Sequence, residues 1–121
     1  MGEALTIRVR REQGYAIVAV AGEVDIATVT RLRERLFELA ASGRTLVVDL
    51  DQVSFIDSAG LAALAGAARR AAAHRASLQV VCARARTRQL FRLTGLDGPV
   101  PLASTLDGAL ESLAVARPAS R

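Results

Sequence analysis

Two neighbouring stretches, Leu46-Val47-Val48-Asp49-Leu50 and Phe55-Ile56-Asp57-Ser58-Ala59-Gly60-Leu61, restrict the fold more than anything else in the chain. Thr45 to Leu50 is nearly all apolar, the pattern of a strand covered on both faces or central in a sheet. After Asp51-Gln52-Val53, read as a connection, Phe55-Ile56 delivers the chain to Asp57. From Ser58 the apolar spacing is helical to about Arg75, with Leu61, Leu64, Ala65, Ala68 and Ala72 on one stripe. A strand-to-helix join aims the helix's unpaired N–H groups and positive dipole end at the turn. Ser58 stands in that turn.

A helix is also predicted before this strand, so a parallel β-α-β arrangement is the economical topology. That helix carries Val29, Leu32, Leu36, Leu39 and Ala40 at spacings of three and four, with Thr28 or Asp25 as its cap. Upstream, Leu5, Ile7 and Val9 alternate with polar residues, and Glu12-Gln13-Gly14 turns the chain into the denser apolar run Tyr15 to Ala21, which Gly22 ends. These two segments predict a hairpin. Downstream, Leu78 to Cys82 reads as a strand and about Arg84 to Thr94 as a helix ended by Gly95. Pro99-Val100-Pro101 is at best a short edge strand. Ser104, with Asp107 three residues on, resembles a capping box for a last helix carrying Leu106, Ala109, Leu110 and Leu113.

The expected fold is therefore α/β: a mixed sheet of four to five strands with an N-terminal hairpin and about four helices, in one domain over residues 1–116. Residues 117–121 are expected to be a flexible tail. A chain of 121 residues buries roughly two thirds of its unfolded surface and needs no metal or disulfide to fold. The lone Cys82, in an apolar run, reads as a small buried hydrophobe in a reducing cytoplasm. No stretch approaches the about 20 apolar residues of a membrane helix, and the expected location is cytoplasmic.

The net charge is +4 and all 16 basic residues are arginine. That mild excess argues only weakly for nucleic acid. Four aromatics, Tyr15, Phe37, Phe55 and Phe91, with Phe37 and Phe55 in core-like registers, offer no stacking platform. Arg84, Arg88 and Arg92 at i, i+4 and i+8 form a basic stripe, read either as a solvated face or as a surface for an acidic partner.

Catalysis finds little support. The only histidine, His74, lies about 24 Å along the helix from Ser58 at 1.5 Å per residue and cannot activate that hydroxyl. There is no G-x-S-x-G elbow, no phosphate-cradling loop with lysine and no histidine or cysteine metal cluster. The chain reads as a non-enzyme without catalytic residues, metal or cofactor. Ser58 itself has two compatible readings. It is an N-cap whose hydroxyl accepts a backbone N–H, or it is a phosphate acceptor whose added charge would lie on free N–H groups.

Gly22-Glu23-Val24-Asp25, Val47-Val48-Asp49-Leu50 followed by Val53-Ser54-Phe55-Ile56-Asp57-Ser58-Ala59-Gly60-Leu61, and Leu90-Phe91-Arg92-Leu93-Thr94-Gly95-Leu96 together resemble the STAS domain of bacterial anti-sigma factor antagonists. The similarity runs from about Leu5 to Leu113, and D-S-x-G-L after an apolar strand is its most specific part. The resemblance implies that Ser58 is phosphorylated by an anti-sigma factor that is also a serine kinase. It implies a partner-binding surface of Asp25, Asp57, Ser58, Ala59 and Gly60, and a phosphatase that reverses the modification. Ala59 stands where many members have a second hydroxyl, and Ala62 replaces a frequent glycine. The alternative is a STAS interaction subunit of a stress-signalling or lipid-transport complex with no phosphorylation switch. A nucleic-acid binder using Arg84, Arg88 and Arg92 is the third reading.

Overall fold

The sheet follows chain order. In the computed structural model, which describes residues 4–116, β1 (Thr6–Arg11) and β2 (Tyr15–Val24) form the antiparallel hairpin. Strands β3 (Thr45–Ile56), β4 (Leu78–Val81) and β5 (Leu102–Ala103) then add in parallel, giving β1-β2-β3-β4-β5. Helices α1 (Val29–Ala40), α2 (Ser58–Ala73) and α3 (Ala85–Leu93) are the crossovers, and α4 (Leu106–Ala116) follows β5. This is the mixed α/β sheet with an N-terminal hairpin that the sequence predicts. The tail expected at 117–121 lies outside the described residues.

One face of the sheet carries the main core. The α1 residues spaced by three and four are all buried there, together with Val18, Leu46, Val48, Leu64, Val80 and Phe91. On α2 the buried set is Gly60, Leu61, Ala63, Leu64, Gly66, Ala67 and Ala71, whereas Ala72, expected on the stripe, is exposed. The stripe is wider and rotated because α2 packs on α1 as well as on the strands. A Cβ at Gly66 would lie 3.0 Å from Phe37 Cζ, so the glycine lets α2 pack closely on α1. Arg70 stacks over the same ring, 4.3 Å from its centroid. The other face is smaller: α4 lays Ala109, Leu106, Leu110 and Leu113 over Ile17, Val47 and Val81.

The structure departs locally from the sequence pattern. Gly22 does not end β2, which continues to Val24. Gly22 instead takes φ +104°, and a Cβ there would meet the Ala4 carbonyl oxygen at 2.5 Å. Asp51-Gln52-Val53 is not a connection but part of β3, because register shifts against β2 absorb the extra residues as bulges. Helix α2 ends at Ala73 rather than near Arg75, which adopts a left-handed φ of 61°. The edge strand is Leu102–Ala103, past the prolines, although Pro101 still offers its carbonyl to Val80 N at 2.9 Å. Thr105, not Ser104, caps α4: its Oγ1 accepts the N–H of Gly108 at 3.0 Å. Cys82 is fully buried, as its apolar setting predicts. Among the described residues no helix is long and apolar enough to cross a membrane.

Candidate functional site

Strands β2 and β3 end side by side, with Val24 opposite Ile56 and Asp57 N donating to Val24 O at 3.1 Å. The next residues are therefore brought together from two distant parts of the chain: Asp25 after β2, and Asp57 and Ser58 after β3. Each aspartate organises its own turn through one carboxylate oxygen. Asp57 has an extended backbone, and its Oδ1 accepts the N–H groups of Ala59 at 3.0 Å and Gly60 at 3.2 Å. Asp25 Oδ1 accepts those of Ala27 at 2.9 Å and Thr28 at 3.1 Å. Thr28 Oγ1 completes that loop by accepting from Asp25 N and donating to Glu23 O.

Asp57, not Ser58, is thus the N-cap of α2. The carboxylate wins because it sits one residue earlier, in the extended conformation from which a side chain can reach back to the first turn. Ser58 becomes the first helical residue, exposed, and its hydroxyl makes no hydrogen bond among the described residues. Thr28 heads α1 without a side-chain bond to that helix, so Asp25 is the residue that orders the turn. Ala59 is half-buried and Gly60 buried. A Cβ on Gly60 would lie 2.6 Å from Ile56 Cγ1 and 2.7 Å from Val24 Cγ1. The glycine lets α2 press against both strand ends, which fixes the height of Ser58 above them.

The site therefore offers a free hydroxyl at a helix start, flanked by two carboxylates committed to backbone N–H groups. His74, the C-cap of α2, lies at the helix's far end and cannot serve as a base there. Among the described residues no cluster of three or more His, Cys, Asp or Glu could hold a metal.

The family model of the STAS domain matches residues 6–109, which include all of these positions. The anti-sigma-F factor antagonist RsfB of Mycobacterium tuberculosis is 35% identical over 109 residues, covering 89% of this chain and 88% of that protein. This chain belongs to the STAS domain family of anti-sigma factor antagonists. The anti-sigma-B factor antagonist of Bacillus subtilis is 29% identical over 107 residues, 88% of this chain and 98% of that one. The crystal structure of an anti-sigma factor antagonist from Mycobacterium paratuberculosis superposes with a TM-score of 0.84 at 34% identity, covering 92% of this chain and 95% of that one. Members of the family are typically regulatory rather than catalytic.

Beside the Asp57-Ser58 join, this STAS domain has a groove that sequence reasoning missed. Strand β4 meets β3 only along Leu46–Asp49, so the later part of β3 overhangs it. Asp51 ties the next segment to that overhang, its Oδ1 accepting Ala83 N at 3.0 Å. Helix α3 is thereby set alongside, leaving a cavity of about 370 Å³ lined by Ser54, Phe55, Ile56, Asp57, Arg86, Thr87 and Leu90. Phe55, expected in the core, is 50% exposed there. The bulges upstream break the alternation from which its inward register was read. Of the three arginines expected as a basic stripe, Arg84 and Arg92 are exposed, whereas Arg88 is half-buried and donates to Cys82 O at 2.9 Å.

Proposed function

We propose that this chain antagonises an anti-sigma factor by docking on it through Asp25, Asp57, Ser58, Ala59 and Gly60, and that phosphorylation of Ser58 switches the docking off. The observation that carries the reading is the division of labour at the join. Asp57 caps α2, so the Ser58 hydroxyl is exposed and makes no hydrogen bond among the described residues. Its modification would not cost the fold a cap.

The kinase is the anti-sigma factor itself, which supplies ATP. Ser58 Oγ bonds to the γ-phosphorus as the bridge to ADP breaks, and the hydroxyl proton leaves to a base on the partner. The product carries about −1.5 to −2 charge next to two carboxylates. A partner surface complementary to Asp25 and Asp57 would then meet a doubled negative field, and like-charge repulsion with desolvation favours release. A phosphatase restores the docking form, and the cycle is placed in the cytoplasm. In the rival reading, a constitutive subunit, Ser58 serves mainly as a cap, and the geometry gives that role to Asp57.

Incubation with the cognate kinase and ATP should add one phosphate, mapped to Ser58 by mass spectrometry and absent from Ser58→Ala. Ser58→Asp should lose affinity for the anti-sigma factor while Ser58→Ala keeps it. Modification at another residue, or equal affinity of both variants, would sink the reading.

A further inference from the structure

The groove beside Ser58 has an apolar floor of Phe55, Ile56 and Leu90, with Arg86 on its α3 side and Asp57 at its Ser58 end. On α3, Arg86, Leu90 and Leu93 fall at i, i+4 and i+7 and so share one face. Leu90 is half-buried and Leu93 is 75% exposed, while Phe55 lies 50% exposed on the β3 side. Single exposed apolar residues are ordinary on a protein surface, but a cluster in a groove rimmed by polar groups marks an interaction site.

Charge says what fits. Helix α3 contains Arg86, Arg88 and Arg92 and no acidic residue. Arg88 is occupied by the Cys82 carbonyl, but Arg86 and Arg92 have no hydrogen-bond or ion-pair partner among the described residues. Among the described residues Asp57 is the one carboxylate lining the cavity, and its Oδ1 accepts from Ala59 and Gly60. A nucleic-acid backbone would use Arg86 and waste the apolar floor. A helix with leucine-like residues on one face and carboxylates along its edge would use both.

We propose that this groove is a docking site for an acidic, amphipathic helical segment of the anti-sigma factor, with Phe55 as its apolar anchor and Arg86 as its ion-pairing residue. The inference rests on reading the Ser58 surface as a partner-docking face, and it extends that face beyond the aspartates and the serine. Asp57 lines the groove and precedes the serine, so a helix seated there ends against the switch.

The probe is a synthetic helical peptide of Glu, Ala and Leu with leucines at i, i+4 and i+7, compared with its Lys-for-Glu counterpart. Titrated into the isotopically labelled full chain, the acidic peptide should shift amide signals of Ser54, Phe55, Thr87 and Leu90, and the basic peptide should not. Arg86→Glu should weaken the acidic peptide about tenfold, with Phe55→Ala comparable. Arg69→Glu, the same charge change on exposed α2 surface, should stay within about twofold, as expected for a charge outside the contact. Ser58→Asp should weaken the peptide several-fold, since it adds charge at the groove's end. Absence of shifts in the groove, equal binding of the basic peptide, or equal loss in Arg69→Glu and Arg86→Glu overturns the proposal. An unchanged affinity in Ser58→Asp overturns the coupling to the switch. Phosphorylation of Ser58 in the kinase assay alongside a failed peptide titration would remove the groove and leave the proposed function standing.

Discussion

Gly60→Ala is the sharpest probe of how α2 is seated. The added methyl would lie 2.6 Å from Ile56 Cγ1, 2.7 Å from Val24 Cγ1 and 3.0 Å from Ile56 Cδ1, and both neighbours are buried β-branched residues. Neither can swing aside as the tip of a long side chain would, so the helix start must lift off the strand ends. Overpacking of this kind costs about 1–3 kcal/mol. Alanine's better helix propensity returns up to about 1 kcal/mol. With contacts this short on two sides, the net destabilisation should be about 1–2 kcal/mol. Urea denaturation followed by circular dichroism should show the midpoint lowered by roughly 0.5–1 M with an unchanged slope. Gly98→Ala, where the nearest atom to the new methyl is Gly95 O at 3.6 Å, is the control and should stay within about 0.5 kcal/mol of the parent. If Gly60→Ala matches or exceeds the parent's stability, α2 is not pressed against β2 and β3, and the account of what holds Ser58 in place fails.

Two further predictions concern neighbouring chemistry. Asp57→Ala should cost about 1 kcal/mol through loss of the cap, whereas Ser58→Ala should stay within about 0.5 kcal/mol; equilibrium unfolding giving the reverse order would return the cap to the serine. Cys82 is fully buried, so a thiol reagent should modify it only at the rate of unfolding, and rapid labelling of the native protein would contradict the packing of β4.

The periodic parts of the fold were legible because burial imposes a period. The three-and-four spacing of Val29, Leu32, Leu36 and Leu39 placed α1, and the apolar run Thr45 to Leu50 placed the centre of the sheet. The Asp57-Ser58 join stood out for the same reason, since it is where one period gives way to the other. Elsewhere a tertiary partner overrides the local preference. Gly22 and Asp51-Gln52-Val53 look like breaks, yet pairing between β2 and β3 carries both strands through them by way of bulges. Ser58 and Asp57 are both good caps by residue type, and the backbone conformation at Asp57 chose between them.

The sequence by itself determined the strand-to-helix junction, the hydroxyl placed in it and the family, because those depend on residue type and order along the chain. Only the tertiary structure decided that Asp25 stands beside Asp57, that the serine hydroxyl is left free, and that Phe55 and Arg86 face a common groove. Each of these depends on the register of β2 against β3 and on the overhang of β3 past β4. Register and overhang are set by the packing of the whole sheet, which no single segment encodes.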